Sequence, residues 1–262
     1  MGTVTVITSP QNSKIKLVRA LLGRAKERRE ANAFVIEGVR LVEEAANMNW
    51  LFRFALYDET LNERGRSLIE RLIARGVEVD QISSSLIQDL SQTETPQGIL
   101  AVILLIDLPI PTSPSFIVIA DQIRDPGNLG TLLRSAAAAG VQAVIISPET
   151  TDPFSPKVVR AGMGAHFRLA THSTTWDNIR AYTQGLEVYL ADMDGKSCWE
   201  TNLRQPLALI IGGEAEGASD EARKLATQKI SIPMAGNVES LNAGVAGSVI
   251  MFEVVRQRKS VG

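Results

Sequence analysis

The chain has 262 residues, with 27 Lys and Arg against 29 Asp and Glu for a formal net charge of −2, 45% hydrophobic residues and a mean hydropathy of +0.05. That is enough apolar material for a sizeable core and enough length for two domains, yet the longest apolar runs, Phe116 to Ala120 and Leu207 to Ile211, fall far short of a membrane span. One cysteine, Cys198, excludes an intrachain disulfide, and two histidines, His166 and His172, offer no metal-ligand spacing.

Charge is unevenly spread. Residues 1–40 hold eight Lys or Arg against three Glu, a local balance of +5. Between Ser13 and Ala31, Ile15, Val18, Leu21, Leu22 and Ala25 follow helical spacing, with Lys14, Lys16, Arg19, Arg24, Arg28 and Arg29 interleaved around them. This predicts one basic amphipathic helix, either a solvated charged face or an electrostatic footprint for phosphates. The N-terminus lacks a charged-then-apolar leader, so the expected location is cytoplasmic.

Phe34 to Ile36 and Phe54 to Tyr57 then read as short strands, Arg40 to Ala46 and Arg64 to Ala74 as helices, and Gly76 to Val79 as the start of another strand. The turn at Thr95-Pro96-Gln97-Gly98 leads into an apolar strand ending near Ile106. Asp107 to Ser115 contains Pro109, Pro111 and Pro114 and is the best linker in the sequence. The expected domains are therefore residues 1–106 and 116–262, joined by 107–115.

The second domain opens with Phe116 to Ala120, a continuous apolar run suited to a strand buried on both faces. Asp125-Pro-Gly-Asn128 turns the chain, with Asn128 the expected N-cap of a helix that runs to Ala139 and stops at Gly140. Val141 to Ile146 completes a βαβ unit. On that helix Leu129, Leu132, Leu133 and Ala136 form one stripe and Arg134 points roughly opposite it, free to meet solvent, a phosphate or a neighbouring subunit.

No partner for a reactive thiolate lies near Cys198, and both histidines read as structural or surface residues. Leu207 to Gly217 is an apolar strand ending in a Gly-rich turn at Gly212 and Gly213, where backbone could approach a ligand. Its spacing is neither the dinucleotide GxGxxG nor a phosphate-loop sequence.

Residues 230–258 supply a strand ending at Pro233, a Gly/Asn turn at Gly236-Asn237, and Ser240-Leu-Asn242 opening an apolar helix. That helix begins with Ala243, Gly244, Ala246, Gly247 and Ser248, small residues that let another backbone approach, either the chain's own sheet or a second subunit.

Taken in order, Asn128 with Arg134, then Gly212-x-Glu214-x-x-Gly217, then Ile232-Pro-Met234 with Ser240-Leu-Asn242, closely resemble the three motifs of the SpoU/TrmH family of RNA ribose 2′-O-methyltransferases in the SPOUT superfamily. Residues 34–45 and 91–102 resemble the small L30e-like substrate-binding domain of its rRNA-directed members. Ala137 and Gly162 depart from the residues many members carry, acidic and Ser respectively.

The resemblance implies an α/β fold whose C-terminal α/β-knot domain, a deep trefoil knot around a mostly parallel sheet, binds S-adenosylmethionine, beside a smaller L30e-like α/β domain. It implies cofactor contacts from Gly212, Gly213, Ile232, Met234, Leu241, Asn242 and Ala246, and catalytic roles for Asn128, Arg134, Glu214, Ser240 and Asn242. It also implies RNA contacts from the basic N-terminal residues, and no metal or membrane partner. A homodimer joined through the knot region would account for the small residues after Asn242.

The expected reaction is methyl transfer to a ribose 2′-hydroxyl of 23S-type ribosomal RNA. Other readings are a tRNA methyltransferase, a catalytically silent RNA-binding assembly factor of the same fold, and a small-molecule α/β enzyme, which would leave the basic N-terminal helix without a purpose.

Overall fold

In the computed structural model, which describes residues 6–214, 217–236 and 240–259, the chain separates into two units: Met1–Ile106 with Phe154–Arg160, and Asp107–Pro153 with Ala161–Gly262. Asn237 of the expected Gly/Asn turn lies outside the described residues.

The first unit contains α1 (Ser13–Gly23), α2 (Ala25–Ala31), β1 (Ala33–Glu37), α3 (Val39–Asn47), β2 (Phe52–Tyr57), α4 (Glu63–Ala74), β3 (Val79–Gln81), α5 (Ser84–Leu90) and β4 (Ile99–Leu104). Its sheet runs β1-β4-β2-β3, with β4 antiparallel to both neighbours and β2 parallel to β3. Alternation along β1 sends Val35 into a core with Ile15, Val18 and Leu21 of α1 and Leu86, Ile87 and Leu90 of α5. Phe34 faces the other way, where its ring meets Trp50 and Phe154. Phe154–Arg160, which the sequence reading leaves with the C-terminal domain, thus belongs among the contacts of this unit.

The single basic helix expected over Ser13 to Ala31 is two helices. Arg24 is extended, at φ −119° and ψ 138°, and ends α1 one residue after Gly23, the poorest helix former in the run. The break turns Arg28 inward. It is buried and donates from Nη1 to the carbonyl of Leu21, which removes it from the phosphate-facing set expected from sequence. Lys14 is also engaged, ion-paired to Glu78 and Asp80 beside the Phe54 ring. Lys16, Arg19, Arg24 and Arg29 remain exposed.

The second unit holds β5 (Phe116–Asp121), α6 (Pro126–Ala138), β6 (Ala143–Ile146), β7 (Ala170–Ser173), α8 (Trp176–Tyr182), β8 (Glu187–Ser197), β9 (Leu207–Gly212), α9 (Asp220–Leu225), β10 (Gln228–Ser231) and α10 (Ala243–Lys259). Before β7 the chain forms α7 (Pro156–Gly162), most of which belongs to the first unit. The sheet order is β10-β8-β9-β5-β6-β7, and every pairing is parallel. All six residues of β5 are buried, as a central parallel strand requires.

One sheet face packs on α8 and α9 through Ile179 and Ala222. On the other, α10 lies against α6 and β9. Leu129, Leu132, Leu133 and Ala136 of α6 are fully buried, each leucine contributing about 1.5–3 kcal/mol.

The small residues of α10 have an intrachain cause. A Cβ on Gly247 would come within 2.4 Å of Leu132 Cδ1 and 3.2 Å of Ile211 Cγ1, and Ser248 Oγ meets Ser135 Oγ of α6 at 2.6 Å. The close approach is to the chain's own helix and strand, so a dimer is not needed to explain it. The face turned outward carries Val245 and Phe252, 44% and 48% exposed.

Candidate active site

In a parallel sheet the loops leaving the C-terminal strand ends share one edge, the usual place for a ligand. Asp121 at the end of β5 pairs in register with Gly212 at the end of β9. From this edge the chain builds a cleft of about 860 Å³ with Ile211, Gly212, Gly213, Glu214, Ile232, Met234, Ser240, Leu241, Asn242 and Ala246 on its walls. Every residue assigned to the cofactor by resemblance lines it.

Two of the residues assigned to catalysis do not line the cleft, Asn128 and Arg134. Asn128 is nevertheless joined to it. Its Nδ2 donates to Glu214 Oε1, and its Oδ1 accepts from Asn242 Nδ2 at 2.5 Å. One amide therefore connects the first motif to the second and third. Arg134 sits exposed on α6, away from the buried stripe.

Asn128 can bridge because it is not the N-cap. Asp125 takes that position and accepts the Asn128 N–H at 2.8 Å, with Pro126 beginning the helix, where its missing N–H costs nothing. Asn128 lies one turn in, its side chain free to point along the cleft rim. The cap of α10 falls to Asn242, whose Oδ1 accepts the Val245 N–H at 3.2 Å, while Ser240 stays exposed on the cleft wall.

A further wall comes from β8, which sequence patterning did not single out. β8 and β10 pair at Leu190↔Lys229 and again at Lys196↔Ile230, so residues 191–195 bulge out of the ladder and Ala191, Asp192, Met193 and Asp194 face the cleft. A Cβ on Gly195 would lie 2.5 Å from the Ile230 backbone, so this position accepts glycine alone. Lys229 Nζ lies 2.8 Å from Asp192 Oδ2 and, with a smaller contribution from Arg223, holds the Asp192 carboxyl below the usual carboxylate range. Gly195 is the one local sign of such a bulge.

Cys198 and the two histidines are held in structural contacts. Burial pushes the Cys198 thiol up to about 11, so it stays protonated near neutrality. His166 donates from Nε2 to the Pro153 carbonyl at 2.7 Å, and His172 from Nε2 to the Leu108 carbonyl at 2.8 Å. Among the described residues no group of His, Cys, Asp or Glu could hold a metal ion, and no helix is long and apolar enough to cross a membrane.

The sequence model of the SpoU rRNA methylase family matches residues 115–252, more than half of the chain. This chain belongs to that family. Residues 12–101 match the MRM3-like substrate binding domain. A Streptomyces viridochromogenes 23S rRNA uridine 2′-O-methyltransferase is 34% identical, over 97% of this chain and 93% of its own length. The Bacillus subtilis 23S rRNA guanosine 2′-O-methyltransferase RlmP is 32% identical, over 95% and 98%.

Among solved structures, the SpoU methyltransferase AviRb of S. viridochromogenes in complex with AdoMet superposes with a TM-score of 0.85 at 30% identity, covering 95% of this chain and all of that one. The SpoU fold expected from the motifs, an α/β unit around a mostly parallel sheet, is the fold observed.

Proposed function

We propose that this SpoU family member transfers a methyl group from S-adenosylmethionine to a ribose 2′-hydroxyl of 23S-type ribosomal RNA. The observation that carries the reading is the hydrogen-bonded series Asn242–Asn128–Glu214, which draws three separated segments of the family pattern to one cleft.

The cleft suits this donor. Its size lies in the range of small-molecule sites. Ile232, Met234, Leu241 and Ala246 offer apolar surface, while Glu214 and Asp194 bring negative charge beside the Asp192–Lys229 pair and Arg223. Bound there, S-adenosylmethionine supplies a methyl group already activated on a sulfonium.

The remaining work is positioning and proton removal. Glu214, held by Asn128, and Asn242, held by its own helix cap, present fixed polar groups on the cleft wall. The Arg134 guanidinium has N–H donors and no acceptor, which makes it a poor general base. Its role is to clamp a target phosphate and stabilise the developing alkoxide, the proton passing to a phosphate oxygen or water.

The reading extends to assembly. Val245 and Phe252 on α10 form an apolar outer face that a second copy would cover, making Arg134 part of a site shared between subunits. It includes the knotted C-terminal segment. β10 lies at the sheet edge beside β8, yet α10 returns to α6 and β9 at the middle, a return that suits threading. Residues 1–106 serve as the RNA-selecting domain, joined by residues 107–115 to the methyltransferase domain of 116–262. Lys16, Arg19, Arg24 and Arg29 would give salt-dependent phosphate affinity, while the L30e-like surface selects RNA shape.

Incubating the protein with methyl-labelled donor and separated ribosomal and transfer RNA tests the reading. Label should enter large-subunit ribosomal RNA, and Asn242→Ala should abolish it. Label in transfer RNA alone would move the assignment to the tRNA-directed members. RNA binding without transfer would point to the silent assembly factor.

A further inference from the structure

Asp121 ends β5 at the cleft edge but does not line the cleft, and it is fully buried. A buried carboxylate persists only where donors replace water. Three are supplied, from two different loops. Ser147, after β6, donates its hydroxyl to Oδ1 at 2.8 Å. Ser219, beyond β9, donates its backbone N–H to Oδ2 at 2.7 Å and its hydroxyl to Oδ1 at 3.2 Å. Ser219 also caps α9, its Oγ accepting the Ala222 N–H.

The loop that begins at Gly212 is seated on the same strand end at its other side. A Cβ on Gly213 would come 2.3 Å from the Gln122 carbonyl oxygen, and Gln122 itself takes the left-handed φ of 53°. Gly213, next to Glu214, is therefore seated against Gln122, and Ser219 is tied to Asp121.

We infer that Asp121 is a positioning residue for the methyl donor: through Ser219 its carboxylate sets how deep Gly217 and Ala218 sit on the cleft wall, and so where their backbone meets the ligand. The inference rests on the reading of the cleft as the S-adenosylmethionine site. A carboxylate is required rather than an amide. Asparagine has one acceptor oxygen, so placing it toward the two hydroxyls aims its NH₂ at the Ser219 N–H, donor against donor, and the flipped rotamer takes the acceptor away from the hydroxyls.

The test titrates S-adenosylmethionine by calorimetry into the full-length protein and into Asp121→Asn and Ser147→Ala, with melting temperatures and filter-binding of ribosomal RNA alongside. In Asp121→Asn the donor Kd should rise about tenfold or more, as a loop displaced by a fraction of an ångström implies. RNA affinity should hold, and saturating donor should recover most of kcat. Ser147→Ala lowers the melting temperature but leaves donor affinity unchanged, because the Ser219 bonds remain.

If Asp121→Asn does not fold, Ser219→Ala, which keeps the N–H bond to Oδ2, should still weaken donor binding about threefold. Donor affinity unchanged in Asp121→Asn, or in Ser219→Ala where that variant has to stand in, overturns the inference, as does equal weakening by Ser147→Ala. A wild-type protein that binds no S-adenosylmethionine overturns the underlying reading as well.

Discussion

Replacing Asn128 by Asp changes one NH₂ into an oxygen without changing shape, at the point where three motifs meet. Asn128 Nδ2 donates to Glu214 while Oδ1 accepts from Asn242. In Asn128→Asp the second bond survives and the first becomes a contact between two carboxylates. At about 4 Å their repulsion is about 1 kcal/mol in water-like surroundings and about 4 kcal/mol at an effective dielectric of 20. The pair is partly open to solvent, which favours the lower figure. A lost hydrogen bond to a charged group adds about 1.5 kcal/mol at the low end of its range.

A total near 2–3 kcal/mol displaces Glu214 from the cleft wall without unfolding the domain, and corresponds to a turnover loss of about 30- to 150-fold. The sign with pH follows from the like charges. One of two adjacent carboxyls has its pKa raised, so lowering the pH protonates it, recreates a donor and returns activity. Single-turnover methyl transfer at pH 6 and pH 8 measures this. The double variant Asn128→Asp, Glu214→Gln reverses the direction of the hydrogen bond and should recover much of the loss. Turnover of Asn128→Asp within about twofold of wild type at pH 8 would refute the bridging role.

Three further outcomes are expected. Gly247→Ala gains about 1 kcal/mol of helix propensity but forces a methyl into Leu132, costing about 1–3 kcal/mol, so urea denaturation should show net destabilisation; a more stable variant would mean that α10 does not pack closely on α6. Burial lowers the His166 pKa from 6.5 to about 4, so the folded state gains stability from it above pH 6.5 and loses that gain as pH falls to about 4. This loss approaches about 3 kcal/mol, and His166→Gln should flatten the fall in unfolding free energy over that interval. Phe252→Glu places a charge on the outward face of α10 and should turn a dimer into a monomer in sedimentation; an unchanged mass would remove that face from the interface.

The parts of the fold legible in sequence were those whose signals are local. The apolar run of β5, the stripe of α6 and the Gly140 stop each follow from a few adjacent residues, and the structure places them as expected. Residue type points to Asn128 as the N-cap of α6, but Pro126 at the first helical position makes Asp125 the cap. With Asp125 as the cap, the Asn128 side chain is available to bridge the motifs.

Helical spacing continued through Arg24 leaves Arg28 exposed, and the break rotates the residues beyond it and buries that side chain. The β8 bulge and the burial of Asp121 by two distant serines depend on tertiary pairing, so neither leaves a pattern in its own segment. The small residues of α10 announced close packing without saying against what, and α6 is the answer.

A methyl on a 2′-oxygen blocks the nucleophile that cleaves RNA in alkali, which gives the central claim a direct chemical test. Ribosomal RNA methylated by this protein from labelled S-adenosylmethionine should, after alkaline hydrolysis, carry its label in a resistant dinucleotide at one position. Label released with ordinary mononucleotides would place the methyl on a base and contradict the assignment of a ribose 2′-O-methyltransferase.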